Sequence, residues 1–302
     1  MNAVELRSIH KSFKQNKVLS SIDLDVMNGG ITAIAGPNGA GKTTTLKIIS
    51  GYYYFDGSCS LFGDVTPVTP NNKGMDNIFY VPEEKGLPGG QKVSTFFSNS
   101  SLLYSKHKID HAKLGAMLKH LGLDKKLNSP IKEISMGMRS SLYLLLALSS
   151  SAKLLVLDEP MTGLDPFIRS RMITLMKEFV LDGNKAIIYS SHILEEIEEA
   201  ADRIVILNNG QSIYSGTIDE LKDRYSEAVI EKPAMNPSVY NLPGVVFVRE
   251  ENGLYHLFVE NKLWKGLSSS KQYPLRLREI FINLIEKSMI SQGEANEFNQ
   301  SS

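Results

Sequence analysis

The chain has 302 residues, enough for one large domain and a smaller one. Its 33 basic and 33 acidic residues cancel, so no global field draws it to nucleic acid. The lone Cys59 excludes an internal disulfide framework and fits a reducing compartment. No stretch approaches the ~20 uninterrupted apolar residues that span a bilayer; the densest, Leu142 to Leu148, stops at Ser149-Ser150-Ser151. With acidic Glu5 and no long apolar core, the N-terminus does not read as a signal peptide. Any membrane role must come through a partner.

Ala3 to His10 and Ile22 to Met27 alternate apolar and polar residues, which predicts two half-buried strands. Between them lies Lys11-Ser12-Phe13, ahead of the turn-prone Gln15-Asn16-Lys17. An aromatic here could stack on a purine base, but on local sequence Phe13 reads as an ordinary core residue.

The apolar run Ile31 to Ala35 predicts a buried strand, and Thr43 to Ile49 predicts a helix that Gly51 ends. They flank Gly36-Pro37-Asn38-Gly39-Ala40-Gly41-Lys42-Thr43-Thr44, a phosphate loop in its strand-to-helix setting. Gly36, Gly39 and Gly41 allow backbone conformations and approaches that a Cβ blocks. Loop and helix-start N–H groups converge on an anion, helped by the helix dipole. Lys42 supplies a mobile charge for the β- and γ-phosphates, and the Thr43 hydroxyl suits a magnesium ion that keeps most of its waters. These residues predict nucleoside triphosphate binding.

Tyr52-Tyr53-Tyr54-Phe55 leads into the turn Asp56-Gly57-Ser58, and fits a packed helix end as well as a sticky patch. Asn77 to Val81 predicts a strand, broken by Pro82 and followed by Glu83-Glu84-Lys85-Gly86. Val93 to Leu123 holds no proline and predicts helix. Its His107, His111 and His120 lack a nearby cysteine or a carboxylate at ligand spacing, so they read as solvated surface groups.

Ser135 is placed to cap an apolar helix that follows it. Lys153 to Leu157 predicts a strand ending in Asp158-Glu159-Pro160. In a parallel α/β sheet the carboxyl ends of strands line the ligand crevice. Asp158 is therefore expected to hold magnesium through its water shell, and Glu159 to orient and polarise an attacking water. A further strand, Lys185 to Ser191, ends at His192 and delivers a polar side chain to the same edge.

From about Leu6 to about Gly216 the chain resembles the nucleotide-binding subunit of an ATP-binding cassette (ABC) transporter. The phosphate loop alone is shared by many NTPases. The ordered series of that loop, Ser135-Met136-Gly137-Met138, Leu155 to Pro160, Gly163-Leu164-Asp165 and Ser191-His192 is far more specific. The resemblance implies an α/β P-loop NTPase fold: a RecA-like core with an antiparallel β subdomain and a helical subdomain at about 86–150. It also implies two cassettes closing head to tail on two ATP molecules. Phe13 would take the base-stacking position, Asn38 and Thr44 would join the nucleotide cradle, and Asp165 would lie in the loop that crosses the dimer. Glu159 matches the catalytic carboxylate and His192 the switch histidine. Ser135 and Gly137 would cap the partner's nucleotide, consistent with anion binding at a helix N-terminus.

Two positions depart from that family's pattern. Glu83 replaces the usual glutamine, where it can still reach a metal through water but adds negative charge near the phosphates. Met136 puts a side chain where the signature's first glycine normally allows close approach. Both resemble variants in exporter ATPases whose permeases are separate chains.

After Asp202 to Leu207 and the turn Asn208-Asn209-Gly210, a strand ends at Tyr214-Ser215-Gly216 and a helix spans Ile218 to Arg224. Pro233, Pro237 and Pro243 mark a boundary. Val245 to Val248 and Leu254 to Val259 predict a hairpin about Glu251-Asn252-Gly253. Pro274 to Ile290 predicts a helix with Leu277, Ile280, Phe281 and Leu284 on one face. The expected organisation is a nucleotide-binding domain over 1–220, a small α+β domain over 221–290 without a site of its own, and a frayed polar tail over 291–302.

The reading is thus an ATP- and magnesium-dependent ATPase, held on the cytoplasmic face of a membrane by an integral permease. Its other partner would be a second cassette, the same or a related chain, and its transport export of a peptide or drug-like cargo. The alternatives are a soluble ATPase acting on ribosomes or nucleic acid, and a poorly hydrolysing ATP-gated regulator. One cassette, no sustained heptads and a neutral charge balance argue against nucleic acid.

Overall fold

The computed structural model describes residues 2–65, 73–84, 86–87, 89–104, 106–231, 242–266 and 270–291. In chain order these form β1 (Asn2–Phe13), β2 (Asn16–Met27), β3 (Ile31–Ala35), α1 (Lys42–Ile49), β4 (Asp56–Leu61), β5 (Asp64–Val65) and β6 (Ile78–Val81). Then come α2 (Val93–Leu103), α3 (His111–His120), α4 (Met136–Leu148), β7 (Leu154–Leu157), α5 (Pro166–Val180), β8 (Ala186–Ser190) and α6 (Leu194–Ala200). The chain continues through β9 (Arg203–Asn208), β10 (Gln211–Thr217), α7 (Ile218–Arg224) and β11 (Tyr225–Glu231). It finishes with β12 (Val245–Glu251), β13 (Leu254–Glu260), β14 (Lys271–Pro274) and α8 (Leu277–Ser291).

The larger of two compact units, Met1–Ser215, is organised on a mixed ten-stranded sheet ordered β5-β4-β1-β2-β10-β9-β3-β8-β7-β6. The β9, β3, β8, β7 and β6 stretch is parallel, whereas β2, β1, β4 and β5 pair antiparallel. Every residue of β3, β7 and β8 is buried. That is why these segments read as continuous apolar runs: a parallel strand covered on both faces offers no polar side. Each fully buried Leu or Ile contributes about 1.5–3 kcal/mol of burial, and Leu46, Ile48 and Ile49 of α1 join Leu154, Val156 and Ile188 in one core. The phosphate-loop helix is thereby anchored to the strands that deliver the carboxylates.

Two expectations are corrected. Val93 to Leu123 is not one helix, because the chain leaves α2 at Tyr104 and starts α3 at Asp110, whose carboxylate accepts the Lys113 N–H at 2.9 Å. The intervening backbone pairs with the end of α4: Asp110 N–H donates to the Ser149 carbonyl and Ser151 N–H to the Lys108 carbonyl, both at 2.8 Å. His107 falls in that break, so it does not share a helix face with His111, and it is buried rather than solvated. Its Nε2 lies 2.9 Å from the Ile78 carbonyl of β6. His111 and His120 are exposed.

The second unit, Gly216–Ser302, carries a four-stranded antiparallel sheet ordered β12-β13-β11-β14. The hairpin turns at Asn252-Gly253, both with positive φ. Leu277, Ile280, Leu284 and Ile285 of α8 are buried. Sequence patterning missed β11 and β14, whose partners are distant along the chain. Pro243 sits inside this unit, not at its edge; Pro233, Pro237 and the polar tail over 292–302 lie outside the described residues.

Candidate functional site

A cleft of about 480 Å³ opens at the carboxyl ends of β3, β6, β7 and β8. Its floor is the phosphate loop. Gly36 is required by contact, since a Cβ there would stand 2.4 Å from the Leu207 carbonyl oxygen. Gly41 is favoured by its φ of +103°, and a Cβ there would also displace the tip of Leu19, whose Cδ2 would stand 2.4 Å away. Asn38, Gly39, Gly41, Lys42, Thr43 and Thr44 all line the cleft.

Lys42 folds back on its own loop, Nζ donating to the Gly36 carbonyl at 2.8 Å and to the Pro37 carbonyl at 3.1 Å. Burial pushes its ammonium below the ordinary lysine range, opposed by the negative charges of Glu159, Asp158 and Glu83. An anion entering this loop therefore meets a partly desolvated cation with carbonyl partners it can exchange for phosphate oxygens.

Asp158 and Glu159 follow β7 directly. Asp158 is 1% exposed, and its Oδ1 accepts from the Thr43 hydroxyl at 3.2 Å and from the Ser190 hydroxyl at 2.7 Å. Glu159 turns into the left-handed region, φ +45°. Its Oε2 accepts from Thr162 Oγ1 at 3.2 Å and lies 2.9 Å from His192 Nδ1. A carboxylate only accepts, so that contact puts the proton on Nδ1 and leaves Nε2 directed elsewhere. Ser191, next to Ser190, donates instead to the buried Glu196 at 2.9 Å, which pairs with Arg169 at 2.7 Å. Burial pushes the Glu196 carboxyl up, and the Ser191 hydrogen bond and Arg169 hold it down.

A divalent cation with one or two protein ligands fits Thr43 and Asp158. One hydroxyl and one carboxylate face each other across the cleft, and no cluster of three or more His, Cys, Asp or Glu that could cage a metal occurs among the described residues. That donor set suits magnesium, which keeps waters and phosphate oxygens around it.

The structure brings Asn38, Gly39, Gly41, Lys42, Thr43, Thr44, Glu83, Asp158, Glu159 and His192 into one cleft, from segments far apart in sequence. Glu83 also borders a second groove of about 270 Å³ with Met136 and Arg139. The remaining predicted residues lie elsewhere on this single chain. Phe13 is 39% exposed at the end of β1, edge-on to Tyr53 at 5.0 Å, so it is not the core residue its local sequence suggests. Ser135 caps α4, accepting the Met138 N–H at 3.2 Å, and Met136 beside it is 68% exposed. Gly137 lies against the 163–165 turn, where a Cβ would come within 3.1 Å of the Gly163 carbonyl oxygen. Asp165 caps α5 through the Phe167 and Ile168 N–H groups.

Three participants escaped sequence reading. Val18 and Thr162 line the cleft, and the Ser190 hydroxyl joins the Asp158 carboxylate to the Glu159 main-chain N–H. Only Ser190 carried a signal, as a hydroxyl near the end of an otherwise apolar strand.

A family profile described as ABC transporter matches residues 19–162. An uncharacterized ABC transporter ATP-binding protein, YxlF of Bacillus subtilis (strain 168), is 28% identical over 93% of this chain and 99% of its own length. A Nod factor export ATP-binding protein I of Burkholderia lata is 32% identical over 70% of each chain. Among solved structures, an ATP binding subunit of an ABC transporter superposes with a TM-score of 0.64 at 28% identity, over 73% of this chain and 92% of its own. The ADP conformation of another ATP-binding cassette gives 0.61 at 24% identity, over 73% and 92% respectively, a likeness of fold.

Proposed function

Because the chain belongs to the ATP-binding proteins of ABC transporters, an ATP-hydrolysing family, we propose that it closes head to tail with a second cassette on ATP and drives a separate membrane permease. The observation carrying this reading is the Glu159–His192 contact of 2.9 Å at the mouth of the cleft whose floor holds Lys42.

ATP would lie with its phosphates on the loop N–H groups and Lys42, where charge building on the γ-phosphoryl oxygens is met by preorganised donors. Glu159 orients the attacking water and takes its proton; the bond to the β-phosphate oxygen breaks, leaving ADP and phosphate. His192, fixed by Glu159 through Nδ1, presents Nε2 toward the γ-phosphate, to whose oxygens it donates a hydrogen bond when the ring carries protons on both nitrogens. Thr43 and Asp158 would hold a magnesium ion, whose charge offsets that of the β- and γ-phosphates. Glu83 is a further candidate for its water shell, supported by its place on the cleft wall.

The second cassette supplies what one chain lacks. Ser135 and Gly137 lie outside the Lys42 cleft of their own chain, as residues serving the partner's nucleotide would. Asp165 would lie in the crossing loop, and Phe13, exposed at the end of β1, would stack on the base. Among the described residues no helix is long and apolar enough to cross a membrane, so coupling would run through a permease at the cytoplasmic face. Export is supported by the Nod factor export relative; the cargo class read from the sequence is a peptide or drug-like molecule.

Glu159→Gln tests this reading. The variant is expected to bind ATP as the parent does, to lose roughly 10²–10⁴-fold in turnover, and to elute as a dimer when ATP is present. Parent-like hydrolysis would remove Glu159 from its role, and a monomer at saturating ATP would refute closure on a second copy.

A further inference from the structure

Asp158 and Glu159 sit where β7 has ended, so the sheet supplies a carbonyl partner for only the first of their N–H groups. Asp158 N–H still finds the Val81 carbonyl at 2.9 Å. Glu159 N–H has no such carbonyl and donates to a side chain, Ser190 Oγ, at 2.9 Å. The same hydroxyl donates to Asp158 Oδ1 at 2.7 Å. The direction of both bonds is fixed, because an amide N–H can only donate and an ionised carboxylate can only accept. Ser190 is 0% exposed, so water cannot substitute from bulk solvent.

This bridge coincides with a strained residue. Glu159 holds φ +45°, a left-handed conformation that a side chain with a Cβ adopts at a cost. Such a conformation persists where the surroundings over-determine it. Around Glu159 they do so at both ends: Ser190 takes the main-chain N–H, and Thr162 and His192 take Oε2. The neighbouring hydroxyl cannot take over, because Ser191 Oγ is committed to Glu196 and to the Ile193 N–H at 3.1 Å.

We propose that Ser190 is a positioning residue for hydrolysis: its hydroxyl joins the Asp158 carboxylate to the Glu159 main chain and so aims the Glu159 side chain at the attacking water. This rests on the role of Glu159 given above. Without the hydroxyl the Glu159 N–H and one Asp158 lone pair are left buried and unpaired, and relaxation of that turn carries the carboxylate away from its line.

The test is steady-state ATP hydrolysis by the full chain bearing Ser190→Ala, Ser190→Cys or Ser190→Thr, each first checked for cooperative thermal unfolding. Alanine, and the near-isosteric but weakly hydrogen-bonding cysteine, are expected to lower kcat roughly 10- to 100-fold, as a misplaced catalytic group does. KM for ATP stays at the parent value, and threonine, which keeps the hydroxyl, restores most of kcat. In a Glu159→Gln background, Ser190→Ala adds no further loss, since residues acting as a unit are non-additive. Parent-like kcat in both the alanine and cysteine variants, an effect confined to KM, or an equal fold-loss with and without Glu159 would overturn the proposal. If Glu159→Gln is inactive while Ser190→Ala is not, only the role of Ser190 falls. If Glu159→Gln hydrolyses normally, both readings fall together.

Discussion

Lys42 shows how one side chain is kept ready for a ligand. Its ammonium is buried enough to be pushed below the lysine range, yet it is held by two loop carbonyls and by the field of Glu159, Asp158 and Glu83. Removing it should weaken nucleotide binding itself. A charged hydrogen bond is worth about 1.5–3 kcal/mol, so Lys42→Ala is expected to raise the Kd of a slowly hydrolysed ATP analogue roughly 10- to 150-fold. Titration calorimetry or fluorescence would read this directly, and equal affinity would contradict the cradle. The residues of the loop, Asp158, Glu159 and His192 were legible because each is a rare residue type at a strand end. Ser190 left only a faint trace, since a hydroxyl near an apolar run is common and acquires meaning only from what lies across from it, and Thr162 left none.

Between elements, the break separating α2 from α3 has a chemical consequence. His107 reaches the Ile78 carbonyl of β6 through Nε2, and its Nδ1 is buried with no partner among the described residues. Burial pushes its pKa below the ordinary 6.5, opposed by the hydrogen bond to Ile78 and by Asp76. The folded chain thus refuses a proton that the unfolded chain accepts. Stability from this site is complete above about pH 6.5 and is lost as pH falls below it, because there the unfolded state binds more protons. Urea midpoints at pH 7.5 and pH 5.5 should show a steeper acid loss in the parent than in His107→Gln; parallel losses would clear His107 of that role. Patterning misassigned this segment because the antiparallel bridge from Ile109 to Ser150 competes with helix, and a bridge across that separation leaves no local trace.

The two compact units have separate cores: one around β3, β7, β8 and α1, and the other around Ala228, Ile230, Leu257 and Val259. The nucleotide cleft belongs wholly to the first. Tyr52 and Tyr54 are large exposed apolar groups on that unit. On the transport reading proposed above, the chain would hold a second, hydrophobic chain. Solubilising membranes in mild detergent and recovering this chain is expected to bring down one multi-spanning protein in near-equal amount. Recovery with ribosomal or nucleic-acid components instead would contradict the transport reading.

Local order and spacing were enough to place the phosphate loop, the strand ending in Asp158-Glu159, the strand ending before His192 and the hairpin at Asn252-Gly253. In each, burial periodicity and turn chemistry act over a few residues and leave their mark there. The folded chain alone decided that β3, β7 and β8 lie side by side and that Ser190 bridges the Asp158 carboxylate and the Glu159 main chain. It alone also decided that β11 pairs with both β13 and β14. Those outcomes depend on contacts between segments tens of residues apart, whose free energy comes from shared burial and from buried polar groups finding partners. No stretch of chain read by itself contains that information.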